Sequence, residues 1–190
     1  MLNGGKCMTG MVEQSGAKVW NVWRIARWTV AGLLLLTPAV MMQVNDEWNW
    51  NIGSFLFAGV MIGGAGLLYE LAERFSGNWA YRAGVAVALI SAFLLVWSTI
   101  VRDDGTGEGF FLVIMAVVVG GFACRFLADG MARTMLGVAI MQALFGIAIA
   151  TAPSTADTHL GPSGFLLYNG FFAVLWLTSA GLFRRARQAE

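Results

Sequence analysis

Six long apolar stretches divide the chain, at about residues 28–44, 52–72, 80–101, 109–127, 131–150 and 164–183. Crossing about 30 Å of hydrocarbon takes roughly 20 helical residues, and each stretch meets or approaches that length. None alternates polar and apolar positions as a barrel strand does, and a backbone exposed to lipid must satisfy its own N–H and C=O groups. Each stretch therefore predicts a helix. The expected fold is all-α, an integral membrane bundle of six transmembrane helices. It is expected as a flexible tail over residues 1–19, one membrane domain over 20–185 and a short tail over 186–190.

The basic residues give this bundle a direction. Lys6, Lys18, Arg24 and Arg27 precede the first stretch, Arg74 and Arg82 flank the second connection, Arg125 and Arg133 the fourth, and Arg184, Arg185 and Arg187 follow the last stretch. Arg102 alone falls on the opposite side. Short loops rich in Lys and Arg stay in the cytoplasm, so both termini are expected to be cytoplasmic. A missed or invented helix would break this alternation. The tryptophans agree with the frame: Trp20, Trp23, Trp28 and Trp79 fall near one expected interface, Trp48, Trp50 and Trp97 near the other, and Trp176 lies well inside a span. One rival reading concerns the first stretch, where Arg24 and Arg27 ahead of residues 28–36 and Thr37-Pro38-Ala39 have the layout of a signal peptide. Cleavage there would leave five spans.

Composition narrows the possibilities. The chain is 58% apolar and 12% charged, against roughly 45–50% and 25% in a soluble domain, which leaves no room for a folded soluble domain. The net charge of +1 is spread along one rim rather than gathered in a basic domain, which argues for contact with the lipid bilayer and not with nucleic acid. Cys7 and Cys124 both fall on the expected cytoplasmic side, where a disulfide is disfavoured.

Helices in lipid associate by close packing of small residues, because lipid tails are as apolar as Leu. Gly59 and Gly63 in the second stretch have the G-x-x-x-G spacing, and Gly84 and Ala88 lie on a small-residue face of the third together with Ala80 and Ala92. Gly59, Gly63, Gly84 and Ala88 are the expected helix-packing positions. Charge within hydrocarbon is expensive and usually functional, yet no acid or base lies at the middle of any stretch. Glu70 is the deepest acid and reaches the level of Arg82 and Arg125 at the inner boundary, so these three form the candidate interfacial cluster, as an ion-pair stitch or a gate. The mid-membrane polar groups are the amides Gln142 and Asn169, which either line a path for a polar solute or bond across to a neighbouring helix.

The outer loops carry Asp46, Glu47, Asp103, Asp104, Glu108, Asp157 and the single His159. Gly105, Gly107 and Gly109 make the middle segment a flexible turn rather than a preorganised cage, so solvated carboxylates are expected and no metal site. A single histidine excludes bis-histidine haem within one chain. The chain has no G-x-S-x-G, H-E-x-x-H, Walker loop or C-x-x-C, and its polar groups are scattered where an enzyme needs them to converge. No catalytic residue and no cofactor is expected.

The strings Tyr69-Glu70-Leu71, Ala80-Tyr81-Arg82-Ala83-Gly84-Val85-Ala86 and Asn169-Gly170-Phe171-Phe172-Ala173-Val174-Leu175-Trp176-Leu177 resemble a group of small polytopic bacterial inner-membrane proteins, from the second stretch to the sixth. The resemblance implies a location in the bacterial cytoplasmic membrane. It carries over no catalytic or binding residue, since no activity is assigned to that group, but it directs attention to Glu70 and Arg82. Two functions remain in view. One is a non-enzymatic membrane protein that packs into a homo-oligomer or serves as an accessory subunit of a larger complex. The other is a channel or carrier for a small solute or cation, with the acidic outer loops as its mouth and Gln142 and Asn169 lining the path.

Overall fold

The computed structural model describes residues 5–44, 50–102, 107–155 and 161–188. These contain six α-helices in the order α1 (Gly5–Val44), α2 (Ile52–Phe75), α3 (Trp79–Arg102), α4 (Gly107–Ala123), α5 (Ala128–Ala150) and α6 (Gly161–Gln188), with a short 3₁₀ turn at Pro153–Thr155. Five contain segments long and apolar enough to cross a membrane, and α4, whose apolar part is Gly109–Ala123, is the shorter one. The all-α class expected from the apolar stretches is therefore present. Contacts divide the chain into two compact units, Met1–Leu67 and Leu68–Glu190.

Helix boundaries depart from the apolar stretches where local chemistry differs from hydropathy. α1 begins at Gly5, inside the segment expected as a tail, and runs 40 residues with Pro38 inside it. Propagating a helix costs far less than nucleating one, so a helix seeded in the apolar stretch extends through polar sequence that holds no proline. α6 starts three residues early, and Pro162 is tolerated because the first helical turn has no intrahelical partner for its missing N–H.

α4 ends four residues before the expected Leu127. Phe126 N–H donates to Gly121 O and Arg125 N–H to Phe122 O, both at 3.0 Å, the paired bonds of a Schellman stop. That motif needs a left-handed residue after the helix, normally glycine, and here Arg125 (φ 53°) and Phe126 (φ 58°) adopt it. No glycine marks residues 124–127, which is why hydropathy alone carries the helix on. Close approaches hold the turn: a Cβ on Gly130 would lie 2.2 Å from Cys124 Cβ, and one on Gly120 2.3 Å from Thr134 Cγ2.

In the second unit, α5 and α6 pack along a 4-3 repeat. The buried positions on α5 include Ala128, Ala132, Met135, Ala139, Gln142 and Gly146. Those on α6 include Phe165, Asn169, Phe172, Trp176, Ser179 and Phe183. Successive separations of four and three keep one seam facing its partner, as in antiparallel helices crossing at a shallow angle. The α5 seam is mostly small and the α6 seam mostly aromatic, so large side chains enter where backbones leave room. α3 joins the other side of α6: Ser179 Oγ donates to Gly84 O at 2.8 Å, and a Cβ on Gly84 would sit 3.3 Å from the Phe183 ring. The outward faces of this unit carry apolar side chains such as Leu112, Val119, Leu144, Leu167, Val174 and Leu177, all exposed. Water would penalise such a surface and lipid does not.

In the first unit, Trp28 Cη2 lies 3.4 Å from where a Cβ on Gly66 would stand. Among the described side chains of that unit only Pro38 and Ala58 are buried.

Candidate functional site

Two polar constellations are built into the second unit, one inside the helix seam and one at an end of the helices. Inside the seam, Gln142 Nε2 donates to Asn169 Oδ1 at 2.8 Å, and Asn169 Nδ2 donates to Phe165 O at 2.8 Å. The order of bonds settles the amide orientations. Phe165 O can only accept, so Nδ2 must face it, which turns Oδ1 toward Gln142 and requires Nε2 there. Gln142 is 0% exposed and Asn169 1%. Gln142 Oε1 is left without a hydrogen-bond partner, and so is Trp176 Nε1 further along the seam. The pair expected either to line a path or to bond between helices thus bonds between helices, with both side chains buried. Gly146 makes this possible, since a Cβ there would come within 2.5 Å of Asn169 Cβ.

At the end of the unit where α3 and α5 begin and α4 and α6 finish, polar links tie four segments together. Asn78 caps α3 by accepting from Ala80 N–H at 2.9 Å, and its Nδ2 donates to Ala186 O near the end of α6 at 3.1 Å. The Tyr81 hydroxyl donates to Phe126 O in the α4–α5 turn at 2.7 Å. Asp129 in the first turn of α5 accepts from Arg187 Nη1 at 2.5 Å and pairs with Arg133 Nη2 at 2.6 Å.

The expected cluster of Glu70, Arg82 and Arg125 is divided among these links. Glu70 pairs with Arg74 of its own helix at 3.5 Å. Arg82 Nη2 donates to Glu73 Oε1, whose side chain is 2% exposed against 23% for Arg82. Arg125 is exposed at the tip of the α4–α5 turn. Glu73 is therefore the acid that Arg82 holds across the α2–α3 connection, and spacing alone did not single it out. Because the pair is mostly withdrawn from solvent, Glu73→Gln and Arg82→Gln are expected to be non-additive in unfolding, with a coupling of about 1–2 kcal/mol. The same cycle with Glu70→Gln should give a smaller coupling, and strict additivity for Glu73 would remove the assignment.

Of the expected packing positions, Gly84 and Ala88 are buried on α3. Gly59 and Gly63 on α2 differ, because a Cβ at either would meet nothing within 4 Å among the described residues. Asp46, Glu47, Asp103, Asp104, Asp157 and His159 lie outside the described residues, as does the side chain of Glu108. Among the described residues no three His, Cys, Asp or Glu side chains gather to hold a metal ion. A concavity between α3 and α4 is lined by Leu95, Val96, Thr99, Phe110, Phe111 and Ile114 and offers little polar chemistry. The residues that sequence reasoning passed over are Glu73, Asn78, Tyr81, Asp129 and Arg187. Asp129 was the most accessible of them, because an acid in a first helical turn followed four residues later by Arg133 is a readable pattern. No family model matches this chain, and no curated protein and no solved structure matches it.

Proposed function

We propose that this chain is a non-enzymatic integral membrane protein that packs into a homo-oligomer or serves as an accessory subunit of a membrane complex, with both termini in the cytoplasm of a bacterial inner membrane. One observation carries the reading. The mid-span amides Gln142 and Asn169, the polar groups best placed to bind a solute within the bilayer, are closed on each other at 0% and 1% exposure. A carrier or channel needs such groups turned toward water or substrate, and an enzyme needs them convergent and reachable. The topology is supported by the eleven of twelve basic residues that fall on one side of six alternating spans.

The unmet Gly59 and Gly63 give this reading its test. Close-packing glycines stabilise helix pairs only where a second backbone approaches, and among the described residues nothing stands within 4 Å of a Cβ at either position. Purified from its native membrane in mild detergent, the protein is expected as a defined oligomer or with a bound partner. Gly63→Leu is expected to shift it toward monomer, by tenfold or more in dissociation constant, while leaving its unfolding midpoint unchanged. A clean wild-type monomer without a partner would overturn the proposal.

A further inference from the structure

The α5–α6 seam repeats its side-chain sizes every heptad, so size alone fits the two helices together in more than one way. On α5, Ala132, Ala139 and Gly146 are buried one heptad apart. On α6, Phe165 with Phe172 and Trp176 with Phe183 repeat likewise. The helices are antiparallel, since Gln142 meets Asn169 and Asp129 meets Arg187. With Gln142 at the level of Asn169, Ala139 stands level with Phe172 and Gly146 with Phe165. Sliding α5 by one heptad, about 10.5 Å at 1.5 Å per residue, sets Ala132 level with Phe172 and Ala139 with Phe165. Small again faces aromatic. Lipid does not oppose the slide by hydrophobicity, because the outward faces are as apolar as the seam. The amides break the repeat: one heptad before Gln142 stands Met135, and one heptad after Asn169 stands Trp176.

We infer that Gln142 and Asn169 are register-setting residues, which admit one alignment of α5 on α6 among those that the size pattern permits. Stability is not what they add. The pair makes one bond between the helices and leaves Gln142 Oε1 buried without a partner among the described residues. A half-satisfied buried amide gains little over an apolar pair of the same size, whereas a single polar pair in an apolar seam penalises every register that separates it. The other links set this register less. Asp129 with Arg187 is an exposed ion pair and worth little. Ser179 with Gly84 O and Asn78 with Ala186 O tie α6 to α3 and not to α5. Tyr81 with Phe126 O joins α3 to the α4–α5 turn by one bond, which makes Tyr81→Phe the control.

Spin labels on Leu144→Cys and Leu167→Cys, exposed positions that this register sets at one level, read the alignment by double electron–electron resonance. In the full chain with Cys7→Ser and Cys124→Ser, one distance is expected, and Tyr81→Phe should leave it single. Gln142→Leu with Asn169→Leu is expected to melt no lower than its parent and to add a second, longer distance, since a slide of about 10.5 Å in either direction separates the labels. Met135→Gln with Gln142→Met keeps the same side chains one heptad away, and should transfer the main population to the longer distance. The parent distance alone in either double variant would overturn the inference. So would a double-leucine chain that melts well below its parent, which would make the pair a stabilising one. A second distance in Tyr81→Phe would place control of the register at the helix ends and overturn it too. The inference is independent of what the chain assembles with: a monomer that gains a second register on loss of the amides would support it while removing the assembly proposal.

Discussion

Replacing Trp176 by alanine is expected to destabilise the second unit by about 3 kcal/mol, the lower end of the range for deleting a buried aromatic side chain. The side chain is 0% exposed, midway along the α6 seam. One heptad from the bonded pair Gln142 and Asn169, Met135 on α5 and Trp176 on α6 come to the same level. In a soluble core the loss would combine transfer from water with the cavity left behind. In lipid the transfer contribution nearly vanishes, because the alternative environment is as apolar as the core, and the lost dispersion contacts dominate. Trp176 Nε1 has no hydrogen-bond partner, so the loss is one of packing alone. Trp176→Phe, which keeps most of the ring and removes the orphan N–H, is expected to cost less than about 1.5 kcal/mol. Reversible unfolding in mixed micelles measures both, and equal costs for the two variants would show that volume is not what Trp176 supplies.

Gly146→Ala is expected to cost about 2–3 kcal/mol although it adds one carbon atom. The new Cβ would stand 2.5 Å from Asn169 Cβ and 3.1 Å from its Cγ. Asn169 has no room to give way by rotation without losing its bonds to Gln142 and to Phe165 O. Either α5 and α6 move apart along the whole seam, or the amide pair breaks and leaves Gln142 with both polar atoms unpaired in a buried interface. An internal comparison comes from the same helix. A Cβ on Gly137 would meet nothing within 4 Å, so Gly137→Ala should be neutral or stabilising by up to about 1 kcal/mol through helix propensity. Parallel unfolding curves for the two variants, with no difference in midpoint, would contradict the close approach at Gly146.

Both effects depend on a seam whose repeat is present in the sequence but easily overlooked. Ala128, Ala132, Met135, Ala139, Gln142 and Gly146 follow a 4-3 spacing, as do Phe165, Asn169, Phe172, Trp176, Ser179 and Phe183. In a soluble protein that spacing stands out against polar neighbours. Here the flanking positions, such as Leu144, Leu167 and Val174, are equally apolar because they face outward. Hydropathy therefore loses its power to tell a seam from a lipid face, and size becomes the surviving signal. Size picked out Gly84 and Ala88, which are buried on α3. It picked out Gly59 and Gly63 equally, and among the described residues a Cβ at either meets nothing within 4 Å, because small residues permit close approach without supplying the second helix.

The amino-acid sequence by itself determined that the chain is helical and where most of its long apolar helices run, since a lipid-facing backbone has few ways to satisfy its own polar groups. The intrahelical pairs Glu70 with Arg74 and Asp129 with Arg133 have a spacing of four residues that is also written in the sequence, although the reading of the sequence set Glu70 with Arg82 and Arg125 and passed over Asp129. Tertiary structure decided the rest. It chose Glu73 as the partner of Arg82, because the acid that meets an arginine across the α2–α3 connection depends on how the end of α2 is turned, and packing sets that rotation. It stopped α4 at Ala123 with Arg125 and Phe126 in left-handed backbone, where no glycine announces a stop and the close passage of Gly120 and Gly130 against α5 and the turn holds the conformation. And it turned Gln142 and Asn169 toward each other, a choice that rests on the relative register of two helices and so is written in neither helix alone.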